Sequence, residues 1–277
     1  MATLRSEDGT ALNVLTDGDE RNPALVFIHG YAQTAVAWQP QVAAFADDFF
    51  VVRLDLRGHG DSGKPADPRA YSESQRWADD VAVVIRDLEL RTPILIGWSY
   101  GGYVIADYLR LYGQDAIAGV VLAGGVSLRG VPPGERFSDP ALRHVWRQLM
   151  NPDDAVALPG FVAFAEACFA EPPPPEVLEA IAKRSLRLPA HARRAMVSRT
   201  VDSAQTWAEY GKPLLIIHGE LDRMVLPASA DWHAAQVPHA RSLRYAGVGH
   251  SPFIEATERF NADLRAFAST VLGSVSR

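Results

Sequence analysis

The sequence predicts a doubly wound α/β fold built on a mostly parallel sheet. Three observations carry this. Short apolar runs alternate with helical segments along both ends of the chain. Those runs are nearly continuous in apolar residues, as strands covered on both faces are. A G-x-S-x-G stretch, Gly97-Trp98-Ser99-Tyr100-Gly101, stands between one such run and a helical pattern.

The elements follow in order. Residues 1–18 read as a β-hairpin turning at Asp8-Gly9. Leu25–Ile28 is a buried strand ending at His29-Gly30, and Thr34–Ala46 is helical. Phe49–Leu54 is a strand ending at Asp55. Gln75–Glu89 is a helix with apolar residues at Val81, Val84, Ile85 and Leu88. Pro93–Gly97, Ile117–Leu122, Pro213–Ile217 and Arg241–Tyr245 are further strands, and a helix runs from about Glu255 to Leu272. Such sheets bind ligands at the carboxyl ends of their strands.

The alternation breaks between Val126 and Thr206. That stretch holds ten of the nineteen prolines and no convincing strand. It reads as helices over Asp139–Met150, Phe161–Ala170, Glu176–Leu186 and Ala190–Gln205. The expected division is a core of residues 1–125 and 207–277 with a helical cap, 126–206, roofing the strand ends. Pro172–Pro175 reads as a stiff turn between cap helices.

Bulk properties narrow the function. The 277 residues, 48% hydrophobic and 22% charged, suit a globular enzyme. A net charge of −6 argues against nucleic acid or an anionic membrane as partner. The single cysteine, Cys168, forms no internal disulfide and fits a reducing, cytoplasmic setting. The N-terminal residues 1–8 contain no apolar core, so no signal peptide is expected, and no apolar run is long enough to span a bilayer. The histidines lack metal-ligand spacing, and no phosphate-cradling or dinucleotide motif is present, so neither metal nor cofactor is expected.

The chemistry centres on Ser99. A serine on a tight strand-to-helix turn projects its hydroxyl from the sheet, and glycines flank it because a Cβ there would clash. A serine hydroxyl needs a base. His250, in Gly247-Val248-Gly249-His250-Ser251-Pro252, follows the last strand and fits. The base needs an orienting carboxylate. Two acids follow the strand at Ile217, Glu220 and Asp222, whereas the strand after the nucleophile helix ends in Ala123-Gly124-Gly125 with no acid. Donors for an oxyanion are expected from the backbone N–H of Tyr100, at a helix N-terminus, and of Tyr31, just past His29-Gly30. His29 reads as a brace for that loop. Trp146, Phe161 and Phe164, with Met150, Phe169 and Met196, are candidates for an apolar substrate pocket.

Five motifs now stand in order: Phe27-Ile28-His29-Gly30, Asp55-Leu56-Arg57-Gly58-His59-Gly60-Asp61-Ser62, Gly97–Gly102, Leu215–Asp222 and Gly249-His250-Ser251-Pro252. In these the chain resembles the α/β-hydrolase superfamily over nearly its whole length. The resemblance implies an eight-stranded, mostly parallel sheet with a helical cap between strands six and seven. It implies a triad in the order Ser99, Asp222, His250, which selects Asp222 over Glu220. It gives Arg57–Ser62 a structural role.

Departures from subfamily patterns narrow the reaction. Haloalkane dehalogenases and epoxide hydrolases use an aspartate nucleophile, and the epoxide hydrolases add cap tyrosines; here the nucleophile is Ser99, and residues 126–206 contain no tyrosine. Carbon–carbon bond hydrolases carry His-Gly-x-Gly-Pro-Gly where this chain has His29-Gly30-Tyr31-Ala32-Gln33. Perhydrolases and cofactor-free haloperoxidases often place a proline where Ala32 stands. The leading expectation is a serine esterase acting on a small acyl substrate through an acyl-enzyme. The alternatives are a perhydrolase and a small-molecule receptor on a hydrolase scaffold.

Overall fold

The computed structural model describes residues 2–273. Eight strands form one sheet: β1 (Ala2–Arg5), β2 (Ala11–Asp17), β3 (Ala24–Ile28), β4 (Phe50–Leu54), β5 (Ile94–Trp98), β6 (Gly119–Ala123), β7 (Leu214–Gly219) and β8 (Arg241–Tyr245). Their spatial order is β1-β2-β4-β3-β5-β6-β7-β8. β2 runs antiparallel to both of its neighbours, and every pairing from β4 to β8 is parallel. The expected strands are present, shifted by a residue or two at their ends.

The continuous apolar runs are explained by the two faces. Val26 and Ile28 belong to one core cluster, and Leu25 and Phe27 to the other. Successive side chains of a strand point to opposite faces, so a strand buried on both must be apolar throughout. The edge strand β8, Arg-Ser-Leu-Arg-Tyr, breaks this rule with two arginines and two exposed residues. Charge on an edge discourages pairing with another chain.

The chain between β6 and β7 is helical, with helices at Arg143–Leu149, Asp154–Ala167, Pro175–Ser185, Ala190–Val197 and Ala204–Ala208. Two expected helices differ from what is observed. The one expected from Phe161 begins at Asp154, because the Asp153 carboxylate accepts the Ala155 N–H at 2.9 Å and starts the helix ahead of Pro159. The one expected over Ala190–Gln205 is broken. Val201 pairs with Arg129 through two backbone hydrogen bonds of 2.9 Å, which pull residues 198–203 out of the helix. A further helix, Ala228–Gln236, lies between β7 and β8. Its four alanines blur the apolar spacing that would have marked it in the sequence.

Buried polar groups join this helical segment to the sheet. Ser127, just past β6, bonds to Ser203 Oγ, Trp207 Nε1 and His233 Nε2 at 2.7–2.9 Å. Arg199 reaches under the segment to Tyr100 Oη (2.9 Å) and to the carboxylate of Asp107, both on the helical side of Ser99.

Candidate active site

The strand ends place the site. Ser99 follows β5 and precedes the helix Gly101–Tyr112. Its φ is +53°, a left-handed conformation that costs a non-glycine residue on the order of 1–3 kcal/mol. The Ser99 N–H is held by Ala123 O at 3.1 Å. The turn is as crowded as its glycines imply. A Cβ on Gly97 would lie 2.7 Å from Ile105 Cδ1, and one on Gly101 would lie 2.6 Å from Ile28 O.

Asp222 and His250 meet behind this turn. His250 Nδ1 donates to Asp222 Oδ2 at 2.7 Å, which leaves Nε2 as the unprotonated ring nitrogen. Asp222 Oδ1 accepts the N–H groups of Met224 and Val225, each at 2.9 Å. His218 Nε2 lies 3.0 Å from Oδ2 and 2.7 Å from Val225 O. Burial by itself would raise the Asp222 pKa. The opposed effects of His250 and His218 outweigh it and hold the carboxyl down at about 2. Glu220, the rival acid, is exposed. The His250 loop is tied to the nucleophile strand, because Trp98 Nε1 donates to His250 O at 2.8 Å. No hydrogen bond joins the Ser99 hydroxyl to the imidazole in this structure. Catalytic hydrogen bonds often close only in the substrate complex.

The two expected oxyanion donors sit on either side of Ser99. Tyr100 is the first residue before the helix Gly101–Tyr112, where the helix dipole favours negative charge. Tyr31 lies past Gly30, whose Cα is so close that an added Cβ would stand 3.0 Å from Ser99 Cβ. Neither N–H donates to a protein acceptor among the described residues.

A pair of histidines shapes the Tyr31 loop. His29 Nδ1 donates to Gly30 O (2.7 Å), and its Nε2 accepts the Leu56 N–H (3.0 Å). His59 Nδ1 donates to Arg57 O (2.9 Å), and its Nε2 accepts the Ala32 N–H (3.1 Å). The rings lie edge to face at 4.9 Å. Burial keeps both neutral, lowering His29 and bringing His59 down to about 3 with the help of His29. Asp55 completes the brace by accepting the Ala35 N–H at 2.7 Å and the Asp61 N–H at 3.0 Å. His29 was expected to brace the loop. The part played by His59 could have been found only as one residue of the Arg57–Ser62 motif.

Above Ser99 lies a narrow cavity of about 50 Å³, lined by Tyr31, Tyr100, Trp146, Phe164, Met224 and Val225 among others. The rings of Tyr31, Trp146 and Phe164 pack on one another at 5.4–5.9 Å. Phe161 is a correction to the expected pocket. It is fully buried, with the Arg193 guanidinium 5.4 Å from its ring centre, and does not line this cavity. It stands three residues before Phe164 on the same helix but packs against Arg193 rather than into the cavity. Met196 is likewise core, whereas Met150 Sδ lies 4.0 Å from Tyr31 Oη. Cys168 is buried, and burial pushes its thiol pKa well up.

The alpha/beta hydrolase family profile matches residues 25–263. The chain belongs to that family. It is 32% identical to the esterase RhEst1 from Rhodococcus sp. ECU1013, with a TM-score of 0.90 and 98% of each chain covered. It is 25% identical to a bifunctional esterase/perhydrolase of Acinetobacter calcoaceticus, over 96% of this chain and 99% of that one. It is 27% identical to a pimeloyl-[acyl-carrier protein] methyl ester esterase of Stenotrophomonas maltophilia, over 91% and 95% of the two chains. With esterases among these relatives, the chain is a hydrolase acting on ester bonds.

Proposed function

We propose that this ester-bond hydrolase works through an acyl-enzyme formed on Ser99. The observation that carries the reading is the 2.7 Å hydrogen bond from His250 to Asp222, on a loop tied by Trp98 to the strand end that holds Ser99 at φ +53°. With Nδ1 committed to the carboxylate, Nε2 is the nitrogen free to take the Ser99 proton. The serine oxygen attacks the ester carbonyl, and the unengaged N–H groups of Tyr31 and Tyr100 receive the developing oxyanion. Asp222, ionised at any ordinary pH, stabilises the imidazolium that forms. His250 then protonates the departing alcohol and activates water against the acyl-enzyme. Residues 126–206 act as the cap, and Trp146 and Phe164 present its aromatic surface to the acyl group. The narrowness of the cavity supports a small acyl substrate.

The test is Ser99→Ala against p-nitrophenyl acetate, with a fluorophosphonate label on the parent enzyme. Loss of more than about 10³-fold in kcat, with Ser99 carrying the label, is expected. Turnover within a few-fold of the parent overturns the reading.

Peroxide in place of water as acyl acceptor is a second reading, favoured by the similarity to the esterase/perhydrolase of Acinetobacter calcoaceticus. Halogenation of monochlorodimedone with acetate, peroxide and bromide separates it from hydrolysis.

A further inference from the structure

Arg129 lines the same cavity as Ser99. It stands in the loop after β6, half-buried, beside Val126, Val197 and Tyr103. Its Nε donates to Val197 O at 2.7 Å, and its backbone pairs with Val201, so its place is fixed from both sides. The field of its guanidinium reaches the phenols of Tyr31, Tyr100 and Tyr103.

The chain's fully buried arginines all have acid partners. Arg53 pairs with Asp17, Arg57 with Asp80 and Asp8, Arg193 with Asp154, and Arg199 with Asp107. Arg129 has no carboxylate within 4.0 Å among the described residues, and no acid lines the cavity with it. The Arg129 guanidinium, tied through Nε to Val197 O and within hydrogen-bond reach of Tyr103, brings a positive charge to a largely apolar cavity without a counter-charge, which matches an anionic ligand group such as a carboxylate.

We infer that Arg129 is a specificity residue for acyl groups that carry a carboxylate, so that the favoured substrates are monoesters of short dicarboxylic acids. The inference rests on Ser99 being the acylated residue. The scissile carbonyl sits at Ser99 and the free carboxylate meets the Arg129 guanidinium within the same cavity. The small cavity limits the chain between the two carbonyl carbons to a short one. The alcohol side of the ester leaves as usual and plays no part in this recognition.

The experiment compares p-nitrophenyl hemisuccinate with p-nitrophenyl isocaproate, in which an isopropyl group replaces the carboxylate at equal shape. The ratio of their kcat/KM values, corrected for uncatalysed hydrolysis, is measured in the parent enzyme, in Arg129→Met and in Arg129→Gln. The Gln variant keeps a donor for Val197 O, should the Met variant fold poorly. The ratio is expected to fall about 10–100-fold in both variants, the size of a lost charge-assisted hydrogen bond. A ratio that stays within twofold of the parent's overturns the inference while leaving the esterase reading intact. A parent enzyme that turns over neither ester, and takes no fluorophosphonate label at Ser99, overturns both.

Discussion

Replacing Asp222 by Asn isolates what the acid does for the imidazole. Asn keeps an oxygen where Oδ1 stands, so the Met224 and Val225 N–H groups retain their acceptor at 2.9 Å. It puts an NH₂ where Oδ2 stands, 2.7 Å from His250 Nδ1 and 3.0 Å from His218 Nε2. A donor facing Nδ1 forces the ring proton onto Nε2, the nitrogen proposed to accept from Ser99. It also removes the negative charge that stabilises the imidazolium. Together these cost about 10⁴ in kcat, or about 5 kcal/mol of barrier. Losing the charge-assisted bond costs a further ~1–3 kcal/mol of folding stability. Asp222→Ala is expected to unfold at lower urea than Asp222→Asn, since it also strips two buried N–H groups of their acceptor. The assay is turnover of p-nitrophenyl acetate alongside urea unfolding followed by near-ultraviolet circular dichroism. Glu220→Gln serves as control, and its activity should match the parent, because that side chain is exposed. An Asp222→Asn enzyme that keeps a tenth or more of parental kcat would refute the assignment of the orienting acid.

Acid should weaken the fold below neutrality. His59 and His233 are buried neutral, with pKa values of about 3 and about 4 against 6.5 in a free chain. The unfolded chain binds those protons as pH falls below 6.5 and the folded chain resists, so stability drops by up to ~1.4 kcal/mol per pH unit for each. Asp222, held at about 2 against 3.8, adds stability that is present above 3.8 and is lost as pH falls through 2. A urea midpoint that stays flat between pH 7 and about 5 would contradict the burial of both neutral rings. Trp146→Ala removes a ring packed on Tyr31 and Phe164 and should raise the ratio of octanoyl to acetyl ester turnover by about tenfold. Arg199→Met removes the buried cation beside Asp107, leaving only the longer pair with Arg110 at 3.7 Å, and should cost ~3 kcal/mol in urea unfolding, with Asp107→Asn in the same chain recovering part of that loss.

The parts legible from the sequence are those fixed by short-range rules. A strand buried on both faces has to be apolar at every position, so β3 to β7 could be read directly. The turn at Ser99 has to have small neighbours, because Gly97 and Gly101 leave no room for a Cβ. Which acid faces the base is a different kind of question. Glu220 and Asp222 follow the same strand, and only the turn that points the Met224 and Val225 N–H groups at Asp222 decides between them. The resemblance to a family supplied that choice, while the local residues did not. His59 was out of reach for the same reason, as its partner Ala32 is 27 residues away on another loop.

The substrate side of the site lies wholly on the long-range side of this divide. Phe161 and Phe164 carry the same side chain one helical turn apart, and the packing of their helix turns one toward Arg193 and the other toward Ser99. Val201 leaves the expected helix because Arg129, some seventy residues earlier, offers it a strand partner. That same pairing sets Arg129 into the cavity. Reaction chemistry in this fold is therefore written into the strand ends, where the sequence can be read. On the proposed reading, selectivity arises where two distant segments meet, and the pairing of Arg129 with Val201 sets the charge of the pocket without altering Ser99, Asp222 or His250.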